Sequence, residues 1–251
     1  MSESQEVDIL AFSPHPDDAE LGCGGSLILA AENGLRVAIA DVTDGERSSR
    51  GTPEGRAREK AAAAELLRLC HRFSLGLPDT EIGMQPEHRL ALIDIIRQTR
   101  PRIVLAPYWR DRHPDHEATA RLVHQAAFYA GVAAMGKGTV HRPQSLFHYM
   151  IHYPFSPAFV VDISSVWDRK LRVLEAYASQ FQRGEGGPHT AISQPGFARF
   201  VEARAICFGA MIGASYGEPF SASGPVGLQQ LPGLDTPAPP PGALPPFSMF
   251  T

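Results

Sequence analysis

Cysteine is scarce in this sequence: Cys23, Cys70 and Cys207 are the three in 251 residues, and they stand far apart. That excludes a disulfide framework and a Cys-x-x-Cys metal knuckle, and it fits a reduced, cytoplasmic setting. The first residues, MSESQEVDILAFS, lack a cationic start and a long apolar core, so no signal peptide is expected. No apolar run approaches the ~20 residues that cross a bilayer, so no membrane partner is expected. A basic stripe is missing too. The formal net charge is -4 and the pI about 6.2, which argues against a nucleic-acid partner. No internal repeat is visible. What remains is ordinary for a globular chain, with 43% hydrophobic and 20% charged residues. At this length it suits one large α/β domain.

Residues 7–13 (VDILAFS) form a short apolar run that ends at a proline turn, the mark of a buried strand. Residues 24–33 suit a helix closed by Gly34, and 36–42 a second strand. Thr52-Pro53-Glu54 opens another helix, with Thr as N-cap, Pro at the first helical position and an acid in the first turn. It runs to about residue 69. A brief strand is expected at 73–75, a helix at 90–98, a strong strand at 103–106 and a helix at 117–130. Strand and helix alternating at this spacing predict an α/β fold, a mostly parallel sheet with helices on its faces. Further strands are expected at 145–153 and 159–163, and helices at 166–181 and 196–212. From about residue 221 Pro, Gly, Ser and Leu dominate. We therefore divide the chain into one domain over 1–220 and a tail over 221–251 without regular structure, disordered or laid on a neighbouring subunit.

In open α/β sheets ligands sit outside the carboxyl ends of the strands. The first strand delivers Pro14-His15-Pro16-Asp17-Asp18-Ala19-Glu20 there, one imidazole and three carboxyl groups on a short loop. His and Asp are common zinc ligands in hydrolytic sites, and an unbound carboxylate beside a metal is what a general base needs. Asp and Pro also make plain turns, and Asp18 could simply cap the next helix. Three crowded acids, however, repel unless a cation or proton sits among them. Gly22-x-Gly24-Gly25 with Asp41 imitates a dinucleotide fingerprint. The third glycine is absent, and the acids would cancel the positive end of the helix that holds phosphate.

The strand at 103–106 delivers Asp111-Arg112-His113-Pro114-Asp115-His116 to the same edge. His116 begins a helix and can point back at the metal. His113 would stand beside it as a charged general acid. Asp115 could bond one imidazole and raise its pKa. The pairing of the two strings, each after a buried strand, makes the signal specific.

These strings resemble the LmbE-like/PIG-L family of zinc-dependent N-acetylglucosamine deacetylases, over about residues 7–220. Thr43-Asp44-Gly45-Glu46, Leu77-Pro78-Asp79, Ala106-Pro107-Tyr108 and His141-Arg142-Pro143 resemble the branch that deacetylates N-acetylglucosaminyl malate in bacillithiol biosynthesis. The resemblance implies a Rossmann-like fold and a trimer or hexamer. It implies zinc on His15, Asp18 and His116, with Asp17 as the base for a zinc-activated water. It makes His113 the acid that also stabilises the oxyanion, with Asp115 orienting it. Cys23, where the family usually has a small or polar residue, raises the question of thiol ligation, and we read it as packing. Arg56 sits four residues into a helix, where a cation opposes the dipole. It could pair with Glu54 or Glu59, or lean toward the site. With Arg112 and Arg142 it is a candidate for the carboxylates of an anionic substrate. Other N-acetylglucosaminides, a nucleotide-binding protein and a silent sugar-binding module are the alternatives.

Overall fold

The computed structural model describes residues 5–181 and 190–227. Seven strands form one sheet: β1 (Ile9–Ser13), β2 (Val37–Asp41), β3 (His71–Ser74), β4 (Ile103–Pro107), β5 (Ser145–Tyr149), β6 (Phe159–Asp162) and β7 (Gly217–Ala222). Their order is β3-β2-β1-β4-β5-β7-β6. The first five run parallel, and β7 lies antiparallel to both β5 and β6. The expected α/β sheet with helices on both faces is the observed architecture.

Period-two alternation sorts the core into two layers. Ile9 and Ala11 join one apolar cluster with Val37 and Ile39. Leu10 and Phe12 join the other with Ala38 and Ala40. The first layer is covered by α1 (Asp18–Glu32), α2 (Pro53–Leu67), α5 (Trp167–Glu175) and α7 (Pro195–Met211). The second is covered by α3 (Pro86–Thr99) and α4 (Pro114–Tyr129). Burial on both faces is why β1 and β2 read as continuous apolar runs.

Local signals place most helix ends. The Thr52 hydroxyl accepts from Gly55 N–H at 3.1 Å, with Pro53 as the first residue of α2. Gly34 follows α1 with φ +79, and its N–H donates to Ala31 O at 3.1 Å. Besides end shifts such as β5 stopping at Tyr149 and α3 starting at Pro86, three elements differ from expectation. First, α1 begins at Asp18, not Gly24, and is broken at Cys23 (φ -141, ψ 15), so the expected helix is its second half. Second, the helix expected over 166–181 is a 3-10 turn (Ser164–Val166), α5 and the short α6 (Ala178–Phe181). The break seats Tyr177 in the core, where its hydroxyl donates to Glu20 at 2.6 Å. Third, β7 has no counterpart among the expected strands. Its sequence, GEPFSA, holds a Gly, a Glu and a Pro, all poor in strands. Pairing on both sides holds it in the sheet, and it runs two residues past 220. The rest of the tail from residue 228 lies outside the described residues.

Candidate active site

The carboxyl ends of β1 to β4 open on a cavity of about 400 Å³ lined by His15, Asp17, Asp18, Arg56, His113 and His116, among others. Strand pairing makes this convergence. β1 and β4 are hydrogen-bonded neighbours, so loops about 100 residues apart leave the sheet side by side.

The β1 loop is held from below. Ser13 Oγ donates to His15 O at 2.6 Å and accepts from Ala19 N–H at 3.0 Å. That hydroxyl serves the start of α1, and Asp17 makes no side-chain cap bond. The Asp17 carboxylate is therefore not spent on a cap, whereas Asp18 Oδ2 also accepts the His15 backbone N–H at 3.0 Å and so helps to close the turn. Asp17 itself has φ 122 and ψ -24. A non-glycine residue there is strained by about 1–3 kcal/mol, a feature that clusters at functional sites.

Asp18 Oδ2 lies 3.0 Å from His15 Nδ1 and 3.2 Å from His116 Nε2. In a tetrahedral site with bonds of ~2.0–2.1 Å, neighbouring donor atoms stand about 3.3 Å apart. Asp18 Oδ2 thus stands at about ligand-to-ligand spacing from one nitrogen of each imidazole. The far nitrogen of each imidazole faces a carboxylate. His15 Nε2 lies 3.2 Å from Asp115 Oδ2 and 3.3 Å from Asp79 Oδ1. His116 Nδ1 lies 3.0 Å from Asp111 Oδ1. Those carboxylates are themselves fixed by backbone N–H groups of Arg47, Thr80, His113 and His152. A carboxylate behind each histidine is the usual support of a metal ligand.

His113 closes the cluster, stacked on His116 at 4.8 Å and edge-on to His15 at 4.8 Å. Its nitrogen is also within range of a three-histidine group with His15 and His116. Two other groups overlap with that one, Asp111–His116–His152 and His15–Asp79–Asp115. The set expected from the sequence, His15, Asp18 and His116, is not one of these groups, although Asp18 Oδ2 stands close to one nitrogen of each of the two histidines.

Electrostatics agree with a site built around a cation. Burial alone would raise Asp18, but His116 and His15 hold it well below the usual carboxylate range. Burial opposes charge on His116, yet Asp18 and Asp111 push it up to about 9. Positive charge is thus demanded between these groups, whether from protons or from a metal ion. Asp17 goes the other way: burial first, then the neighbouring Asp18 charge, push it up to about 8, with Arg56 opposing. Burial and the neighbouring His116 hold His113 down.

Two expected roles change. Asp115 does not orient His113 through its carboxylate, which faces His15. It does so through its backbone N–H, which donates to His113 Nδ1 at 3.2 Å as the helix cap of α4. Nδ1 is therefore an acceptor, and the His113 proton sits on Nε2. A charged His113 would lose that cap, so the geometry favours a neutral donor over a charged acid.

Of the three arginines, Arg56 lines the cavity but is buried, donating to Pro16 O at 2.9 Å and Ser48 Oγ at 3.1 Å. It pairs with the loop rather than with Glu59, which accepts from Ser179. Arg112 lines the cavity and is exposed. Arg142 is a correction: it precedes β5, at the opposite edge of the parallel strands, and lies over Phe128 at 4.8 Å. Glu20 also leaves the site, since its carboxylate takes Arg72 at 2.7 Å and Tyr177. Sequence reasoning misses Asp79, Asp111, Arg47 and His152 as site residues. Asp79 and Asp111 fall inside the quoted strings, whereas nothing local marks His152.

The dinucleotide alternative fails on packing. Asp41 is buried and held by Arg72 through two 2.8 Å bonds. A Cβ on Gly22 would come within 2.2 Å of the Tyr149 ring, and one on Gly25 within 2.9 Å of Ile163. These glycines admit side chains, not a pyrophosphate. Cys23 is buried, its Sγ donating to Ala19 O at 3.2 Å, and joins no metal-binding group among the described residues.

Comparison with known proteins points the same way. Residues 10–127 match the family model PIG-L, GlcNAc-PI de-N-acetylase. Diacetylchitobiose deacetylase of Thermococcus kodakarensis is 32% identical over 189 residues, covering 69% of this chain and 70% of that protein. A probable N-acetyl-alpha-D-glucosaminyl L-malate deacetylase 2 of Bacillus subtilis is 27% identical, covering 68% and 82%. Among solved structures, a conserved protein from Thermus thermophilus superposes with a TM-score of 0.82 at 40% identity, covering 88% and 97%.

Proposed function

This chain belongs to the PIG-L family, and on that premise we propose that it is a metal-dependent deacetylase that hydrolyses the N-acetyl amide of an amino sugar. The observation that carries the reading is the Asp18 oxygen set between His15 Nδ1 and His116 Nε2, with the unpaired Asp17 on the same loop. A divalent ion on His15, Asp18 and His116 would acidify a bound water and polarise the amide carbonyl. Zinc suits two nitrogens and one oxygen, although such a set accepts other divalent ions.

Asp17 accepts the proton of the attacking water. Its carboxyl then carries that proton as the group that must also give it back. The amide nitrogen receives it as the C–N bond breaks, so acetate and a free amine leave. His113 donates from Nε2 to the developing oxyanion as a preorganised neutral donor. Thr80 and Asp79 hold the opposite wall through Asp115 and His15.

The finer reading keeps N-acetylglucosaminyl L-malate as the substrate, a step in bacillithiol biosynthesis. Its two carboxylates would meet Arg112 and Arg47 at the cavity mouth. Arg47 pairs with Glu81 at 2.6 Å in an exposed salt bridge that a stronger anion could replace. A cytoplasmic homo-oligomer, with one catalytic domain over 1–220 and a tail after it, completes the proposal. Acetate release from N,N'-diacetylchitobiose and from N-acetylglucosaminyl malate, with and without chelator, tests it. Release that ignores the chelator would defeat the metal reading. A preference for the neutral sugar would defeat malate.

A further inference from the structure

The break in α1 at Cys23 leaves polar groups that an unbroken helix would pair. Gly25 N–H would normally bond Leu21 O, four residues back. Here Gly25 N–H donates instead to Glu218 Oε1 at 2.8 Å. Ser26 N–H and Oγ donate to Glu218 Oε2 at 2.7 and 2.6 Å. A carboxylate from β7 thus caps the second half of α1, where the helix dipole favours negative charge. The freed Leu21 carbonyl is taken from the other side by Lys170 Nζ at 3.0 Å and Arg204 Nη2 at 3.1 Å. Lys170 also donates to Glu218, and both are buried, each 2% exposed. Three charges from α5, α7 and β7 therefore take up the Leu21, Gly25 and Ser26 groups at the break. None of them lies within residues 10–127, the stretch that carries the family match.

Both ends of this clamp lead to the cavity. Leu21 N–H donates to Asp17 O at 2.9 Å, so the residue that Lys170 and Arg204 grip also holds the strained Asp17 backbone. Arg204 Nη1 donates to Ile151 O as well. The next residue, His152, gives its N–H to Asp111 Oδ2 at 3.0 Å, and Asp111 Oδ1 stands 3.0 Å from His116 Nδ1. One guanidinium is bonded on one side to Leu21, whose N–H holds Asp17, and on the other to Ile151, whose neighbour His152 holds the Asp111 that backs His116.

We infer that Arg204, supported by the Lys170–Glu218 pair, is a positioning residue that sets the spacing between Asp18 and His116 and hence the affinity of the metal site. This rests on the proposed metal site but not on the identity of the substrate. The test uses the full-length chain stripped of metal. Zn²⁺ affinity is measured by competition with a chromophoric chelator, and kcat and KM by acetate release from diacetylchitobiose. Arg204→Met is expected to keep cooperative thermal unfolding. It should lose about tenfold or more in Zn²⁺ affinity and in kcat, the range seen when a ligand's support is removed. KM should stay within about threefold. Arg204→Lys, which can still reach one carbonyl, is expected to recover part of both.

Leu174→Ala, a core truncation on α5 outside the clamp, serves as the stability control. Wild-type Zn²⁺ affinity in a folded Arg204→Met protein overturns the inference. So does an equal loss of Zn²⁺ affinity in Leu174→Ala at the same loss of Tm. Should Arg204→Met not fold, Glu218→Gln gives an independent reading. It keeps an acceptor for α1 but removes the charge facing Lys170, and its Zn²⁺ affinity is expected to fall severalfold. Unchanged affinity there also overturns the inference. A wild-type chain that binds zinc but releases no acetate from either diacetylchitobiose or N-acetylglucosaminyl malate would defeat the deacetylase reading and leave the zinc measurement intact.

Discussion

The parallel half of the sheet and its antiparallel edge use buried charge in opposite ways. At the carboxyl ends of β1 and β4, carboxylates and imidazoles crowd around a cavity, and Asp17 is pushed up to about 8. Around β7, Lys170 and Glu218 are buried and Arg204 is half-buried, and each is bonded to another of them or to backbone groups. The first set is left electrostatically incomplete, which is what a site for a cation and a reacting water requires. The second set is complete, which is what holds a broken helix in one shape. Incompleteness marks chemistry here, and satisfaction marks support.

That contrast can be broken at several points, beginning with the largest effect. His15→Ala is expected to lose bound metal and essentially all activity. Full metal occupancy by elemental analysis would remove His15 from the donor set. Asp17→Asn should keep its metal while activity falls by about 10²–10⁴-fold, the usual span for a general base. Normal turnover by the metal-loaded variant would end its role as base. On the supporting side, Lys170→Met leaves Glu218 buried without its cation, which destabilises by about 3–5 kcal/mol. Denaturant unfolding reads this, and a change below about 1 kcal/mol would show that Glu218 needs no partner.

A smaller effect is expected from Asp111→Asn, which weakens the hold on His116 Nδ1. Metal affinity should drop about 10–100-fold, read by chelator competition. Smallest is Arg142→Ala, at the far edge of the sheet, for which kcat/KM should match wild type on malate and chitobiose substrates alike. A raised KM confined to the malate substrate would bring Arg142 back to the site.

Much of this is legible without coordinates, and the reasons are local. Residues 7–13 and 103–106 announce buried strands by unbroken apolarity. Thr52-Pro53 and Gly34 mark helix ends by backbone chemistry. The candidate donors His15, Asp18 and His116 stand out because each lies in the loop or helix start that follows such a strand. What escapes sequence reasoning is non-local. β7 exists because β5 and β6 flank it, against the preferences of Glu218 and Pro219. Asp115 has His113 as its nearest histidine on that side in the chain, whereas the fold turns its carboxylate to His15, 100 positions away.

The sequence by itself determined the alternation of strands and helices, the edge where ligands gather and the residue types gathered there, because periodicity, caps and short motifs act within a few residues. Only the tertiary structure decided which nitrogen of His113 carries the proton, which arginine faces the cavity and what satisfies the break at Cys23. Those outcomes depend on partners brought close by strand pairing and helix packing, and separation along the chain carries no trace of them.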